Sequence, residues 1–172
     1  MIKYTNKLQV VPLLRNVADV STDAAAGSKT AQVRLRNMQW LSFLINWDHI
    51  ADSTSGFTVT AWSSTHQTTT AAGDTALPFK YRVSSAIGTD AWGAITAVTT
   101  GATGATVTGS STDNRLMLVD VDPAVIPALD GNALYAYLRI VNISDESTAV
   151  ENMTVVGIFE PRYPQNANLT SS

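Results

Sequence analysis

Asp48, His49 and Asp52 fall within one short run, WDHIAD. A carboxylate beside an imidazole can orient it as a base, and two carboxylates with a histidine can hold a cation. The plainer reading is a strand-end loop whose polar side chains are solvated. His66 is the only other histidine, and the two sit in no spacing that a metal motif requires. Asp120 and Asp122, two residues apart on a strand, project from one face, with Asp113 and Asp130 nearby in sequence. Paired carboxylates suit glycoside hydrolysis or calcium ligation, but no Asp/Asn/Gly ligand loop accompanies them. Asp122 reads instead as a helix cap and Asp120 as a hydrogen-bonded or exposed strand residue.

Nucleophile motifs are missing. There is no cysteine, so neither a thiolate nor a cysteine zinc site is possible, and no Gly-x-Ser-x-Gly elbow occurs. The glycines of GATGATVTG lack the lysine and the helix of a phosphate-cradling loop. Trp40, Trp47, Trp62 and Trp92 would suit a sugar-stacking platform, yet at strand positions they read more simply as core or interface anchors. The residues therefore point to no enzymatic role, no cofactor and no metal.

Composition narrows the class further. The chain has 172 residues, of which 15% are charged, against roughly a quarter in ordinary soluble domains. The net charge is −3 and no cluster of Lys or Arg offsets it, which argues against direct binding of nucleic acid. MIKYTNKLQVVPLLRN has too short an apolar stretch for a signal peptide. No run of about 18 apolar residues marks a membrane span. We expect a soluble product made in the cytoplasm without secretory export, so the Asn-x-Ser/Thr patterns opening at Asn142, Asn152 and Asn168 read as chance.

The elements that would position these residues are strands. In FKYRVS, Phe79, Tyr81 and Val83 alternate with Lys80, Arg82 and Ser84, and in FTVTAW Phe57, Val59 and Ala61 alternate with Thr58 and Thr60. That is the period-two pattern of half-buried strands. WLSFLINW, LMLVDV, LYAYLRIV and MTVVGIF carry large residues on both faces, as strands covered on both sides would. LQVVPLL, AQVRL and two strands within residues 94–112 bring the set to about ten, spaced as in a sandwich or barrel. DVDPAVIPALDG predicts one short helical turn near 123–129, capped by Asp122, begun by Pro123 and ended by Gly131. Polar residues 15–30 and 165–172 read as loops or arms.

Residues 94–112, AITAVTTGATGATVTGSST, contain no charge. Alternation of Ile95 and Ala97 with Thr96 and Val98, a TTGATG turn and a returning ATVT predict a hairpin with a soft tip. Alone it would be marginal, and its uncharged edge would invite pairing.

From about residue 28 to 165 the chain resembles small jelly-roll virion proteins of tailed bacteriophages, often head decoration or cement proteins. The likeness is carried in order by FTVTAW, the loop SSTHQTTTAAGDTALPF, KYRVSS, AITAVTTGATGATVT, NRLMLVDVDPAVIPALDGNALYAYLRIVN and the closing VVGIFEPRYPQ. It implies a β-sandwich of two antiparallel sheets over residues 28–164, with an N-terminal strand or arm (1–27) and a C-terminal tail (165–172). It also implies many copies on the capsid exterior, binding to the major capsid protein and to copies of itself, and no catalysis. The alternative is a tail, baseplate or head-fibre module for adhesion or carbohydrate binding. The segment 99–106 is the expected subunit contact, with Thr99, Thr100, Ala102, Thr103, Ala105 and Thr106 joined by Trp62 and Trp92.

Overall fold

Alternation of apolar and polar residues builds two layers that face each other across one core. The computed structural model describes residues 8–17, 28–35, 38–51, 53–66, 74–86, 91–100, 103–109, 113–126, 132–143 and 150–161. Its strands are β1 (Gln9–Val17), β2 (Ser28–Lys29), β3 (Val33–Arg34), β4 (Met38–Asn46), β5 (His49–Ile50), β6 (Gly56–Ser64) and β7 (Thr75–Leu77). β8 (Phe79–Val83), β9 (Thr96–Val98), β10 (Ala105–Thr108), β11 (Leu116–Val121), β12 (Tyr135–Asn142), β13 (Val150–Glu151) and β14 (Met153–Pro161) follow.

One sheet runs β1-β14-β4-β11-β8-β9. The second runs β10-β6-β12-β2, with β3 also on β12 and β7 also on β6, and β5 and β13 form a separate two-stranded antiparallel pair. Every pairing is antiparallel. With β2 and β3 taken as one broken strand, and β7 and β10 as another, the first layer holds the first, eighth, third and sixth strands. The second holds the second, seventh, fourth and fifth, which is the jelly-roll order. β1 lies inside this order, so the sandwich draws on residues before Ser28.

The core lies between the layers. Leu41, Phe43 and Ile45 of β4, with Met117 and Val119 of β11, meet Phe57 and Val59 of β6 and Leu138 and Ile140 of β12, all fully buried. Trp47 packs edge-on against Phe57, their ring centroids 5.0 Å apart. Each such side chain stabilises the fold by about 1.5–3 kcal/mol relative to exposure. At Gly157 an added Cβ would come within 2.5 Å of the Phe159 ring, so β14 needs glycine where that ring folds back.

The fifth strand is interrupted, and this corrects the hairpin expected in residues 94–112. β9 and β10 do not pair with each other: β9 pairs with β8 in one sheet and β10 with β6 in the other. β7 and β10 lie end to end along the same side of β6, opposite Ala61–Ser63 and Gly56–Val59 respectively. Between them the chain leaves at Pro78, which has no N–H to continue the ladder. It then crosses to the other layer as β8 and β9, turns with Thr103 N–H donating to the Thr100 carbonyl at 3.0 Å, and re-enters at Gly104. Gly104 has φ +71°, and a Cβ there would meet the Val59 carbonyl oxygen at 2.7 Å, so only glycine fits the return. The turn was legible locally; the strand partners were set by the rest of the fold.

The Asp122 cap is present. Ala124 N–H donates to Asp122 Oδ1 at 2.8 Å and Val125 N–H to the Asp122 carbonyl at 3.2 Å. The turn begins at Pro123; residues 127–129 lie outside the described residues, as do the arm residues 1–7 and 18–27 and the tail 165–172. No helix among the described residues is long and apolar enough to cross a membrane.

Candidate functional site

The polar groups flagged first are tied into loop structure. His49 Nδ1 lies 2.9 Å from Asp113 Oδ2, and Ile50 N–H donates to the other oxygen of that carboxylate at 2.7 Å. Asn152 Nδ2 donates to Asp48 Oδ2 at 3.2 Å and Asn114 N–H to the Asp48 carbonyl at 2.8 Å. These contacts join three connections at one end of the sandwich. Asn114 and Asn152 sit at φ 53° and 52°, a region that asparagine tolerates better than most residues. His66 is elsewhere, beside Thr65. Asp52 and Asp130 lie outside the described residues, among which no group of three or more His, Cys, Asp or Glu is placed to hold a metal.

The four tryptophans do not share a platform. Trp47 is fully buried in the core. Trp62 lies on the outer face of the sheet built on β6 and β12, its indole N–H donating to Thr60 Oγ1 at 2.8 Å. Above its ring, at 4.2 Å, sits the Arg139 guanidinium, which is 8% exposed. Opposite Trp62 in register, Tyr137 donates its hydroxyl to Asp74 Oδ2. Burial first, and the Asp74 carboxylate second, push that hydroxyl from 10.0 up to about 12, against the opposing pull of Arg139. This Trp62–Arg139–Tyr137–Asp74 cluster went unread in the sequence. Its signal is the alternation Tyr135, Tyr137, Arg139 in LYAYLRIV, an outward set with polar tips. Trp92 is in the other layer, half-buried, with Arg82 4.9 Å from its ring centroid.

The expected contact residues divide between surface and core. Thr99, Thr100 and Thr103 are exposed and line a hollow of about 240 Å³ with Tyr81, Thr96 and Gly104. Thr106 is also exposed, its hydroxyl 3.0 Å from that of Thr58 across the β6–β10 ladder. Ala105 points inward and is 2% exposed, so it packs the core. Ala102 lies outside the described residues.

A larger cavity, about 540 Å³, opens where β4, β8, β9 and β11 end. Its walls carry Trp40, Gln39, Lys80, Asp120 and Asp122 over an apolar floor that includes Pro78, Val98, Pro123 and Val125. Asp120 accepts a hydrogen bond from the Ser42 hydroxyl, and Asp122 is occupied by its cap. The two carboxylates thus share a cavity while each has a local task.

One row on the outer face of the six-stranded sheet is apolar across four strands. Pro12 stands opposite Val156, Val156 opposite Leu44, and Leu44 opposite Leu118. The neighbouring row adds Val10, 64% exposed, opposite Ile158, and then turns polar through Ser42, Asp120 and Lys80. This row accounts for the large residues read on both faces of LMLVDV and MTVVGIF. Comparison with protein-family models and with curated proteins gives no match to this chain.

Proposed function

We propose that this protein is a structural subunit of a tailed bacteriophage virion, a head decoration or cement protein on the capsid exterior that binds the major capsid protein and copies of itself. The resemblance supplies the class of partner. The observation that carries the reading is the apolar row Pro12–Val156–Leu44–Leu118 on an outward sheet face. An antiparallel sheet with a solvated face normally turns polar residues outward, whereas an apolar row continuous over four strands marks a strip to be covered. Weak contacts repeated over a lattice add through avidity, so a neutral subunit needs no strong charge pairing.

Purified virions test this directly. The chain should be present at a copy number commensurate with the capsid lattice, and Leu118→Lys should reduce its occupancy while leaving its thermal unfolding in place. Absence from virions, or a few copies only, overturns the reading.

A second reading, a tail, baseplate or head-fibre module that binds carbohydrate, is favoured by the 540 Å³ cavity, where Trp40 offers an aromatic face and Gln39, Lys80 and Asp120 offer polar groups. Glycan-array binding that Trp40→Ala abolishes, together with a tail location, would replace the first reading by the second.

A further inference from the structure

We propose that two copies of this chain join edge to edge through β9, antiparallel and centred on Ala97. The proposal deepens the self-association half of the virion reading and rests on it for its setting, while its physical basis is the sheet edge itself.

A free sheet edge presents backbone N–H and C=O groups that another strand can satisfy, and proteins usually guard such edges with charge, proline or irregularity. β1 has Pro12 and two breaks of register. β2 and β3 are two residues each and carry Lys29 and Arg34. β9 is also short, at three residues, but has neither charge nor proline: residues 91–112, which also hold the edge strand β10, contain no charged side chain, and Ile95 beside β9 is 66% exposed, the most exposed large hydrophobic residue described.

The occupant follows from register. Carried one residue beyond each end of β9, the period of two puts the side chains of Ile95 and Thr99 on the face where Ala97 stands opposite Lys80. Antiparallel pairing centred on Ala97 sets Ile95 of each copy opposite Thr99 of the other. Thr99, Ala97 and Val98 line the 540 Å³ cavity with its apolar floor of Pro78, Pro123 and Val125. The exposed side chain and the cavity that receives it are therefore both on this chain, two residues to either side of one two-fold axis. The contact is reciprocal and closes at two copies. The nearest charges in the central row are the two Lys80 side chains, about three strand spacings or ~14 Å apart, beyond the Debye length at physiological salt.

Sedimentation velocity over a concentration series tests the contact. The wild-type chain should show a monomer–dimer equilibrium, and Ile95→Ala should weaken it about a hundredfold, since each dimer loses two inserted side chains. Ala97→Lys and Ala97→Glu should each be monomeric when alone and should form a mixed dimer when combined, a rescue that a folding defect would not give. All three variants should melt with the wild type at monomeric dilution. A wild-type chain that stays monomeric, or an oligomer indifferent to Ile95→Ala and Ala97→Lys, overturns the proposal. A monomer still found on virions at lattice copy number removes the edge contact and leaves the attachment standing; a β9 dimer absent from virions does the reverse.

Discussion

β1 and β9 close the same six-stranded sheet at its two ends and are built to opposite rules. β1 is nine residues long, slips register twice, between Pro12 and Leu14 and between Leu14 and Val17, and sends Leu13 into the core at 6% exposure. Its Leu13 carbonyl also accepts from Ala31 N–H at 2.9 Å, which ties the edge to the break between β2 and β3 in the opposite layer. β9 is three residues long and buries little besides Val98, while Thr96 and Ala97 stay exposed. One edge serves stability and is closed to strangers; the other contributes little to the core and is left open.

The largest effect that would test this contrast is at Leu13. Leu13→Ala should destabilise the fold by about 3 kcal/mol, as core truncations do, read from urea midpoints. An effect near zero would erase the distinction. An interior strand supplies the reference: the Tyr137 hydroxyl in β12, held at about 12 against an ordinary 10.0, keeps its proton after the unfolded chain has lost it. Its contribution is complete below pH 10 and is lost as pH rises toward 12; Tyr137→Phe should flatten that decline in denaturant midpoints across the window.

Val98→Ala, the same kind of truncation at the open edge, should cost about 1–2 kcal/mol. A loss equal to that at Leu13 would mean that β9 carries the core as β1 does. Pro12→Thr restores a backbone donor to the guarded edge. It should leave unfolding within about 1 kcal/mol of wild type and raise the rate of aggregation on concentration, measured by light scattering. Thr100→Lys, exposed beyond β9, should fall within about 0.5 kcal/mol of wild type in stability.

Much of this architecture is readable from single strands. The alternation in FKYRVS holds over its first five residues: Phe79 is buried, Tyr81 and Val83 stand opposite buried Val119 and Met117, and Lys80 and Arg82 stand opposite outward Asp120 and Leu118, while Ser84, expected outward, is buried with its hydroxyl accepting from Leu116 N–H. FTVTAW does the same, with Phe57, Val59 and Ala61 buried and Thr58 and Thr60 half-buried. What escaped was short or nonlocal. β2, β5, β7 and β13 have two or three residues, too few for a period to register. The partners of β9 and β10 depend on where Pro78 releases the chain and on which neighbours have a free side, and no spacing within residues 94–112 records that. The Asp48–His49–Asp113 linkage escaped for the same reason, because Asp113 reaches His49 from a distant connection.

The crossing between Leu77 and Ala105 has a mechanical consequence. Two layers held by apolar contact alone can slide, because that attraction has no direction. Here one interrupted strand is hydrogen-bonded on both sides of the core, first to β6, then to β11 through β8, then to β6 again. Displacing one layer along the other strains all three ladders together. The sandwich is sewn as well as packed, and a load applied parallel to its layers meets directional bonds before it meets the core.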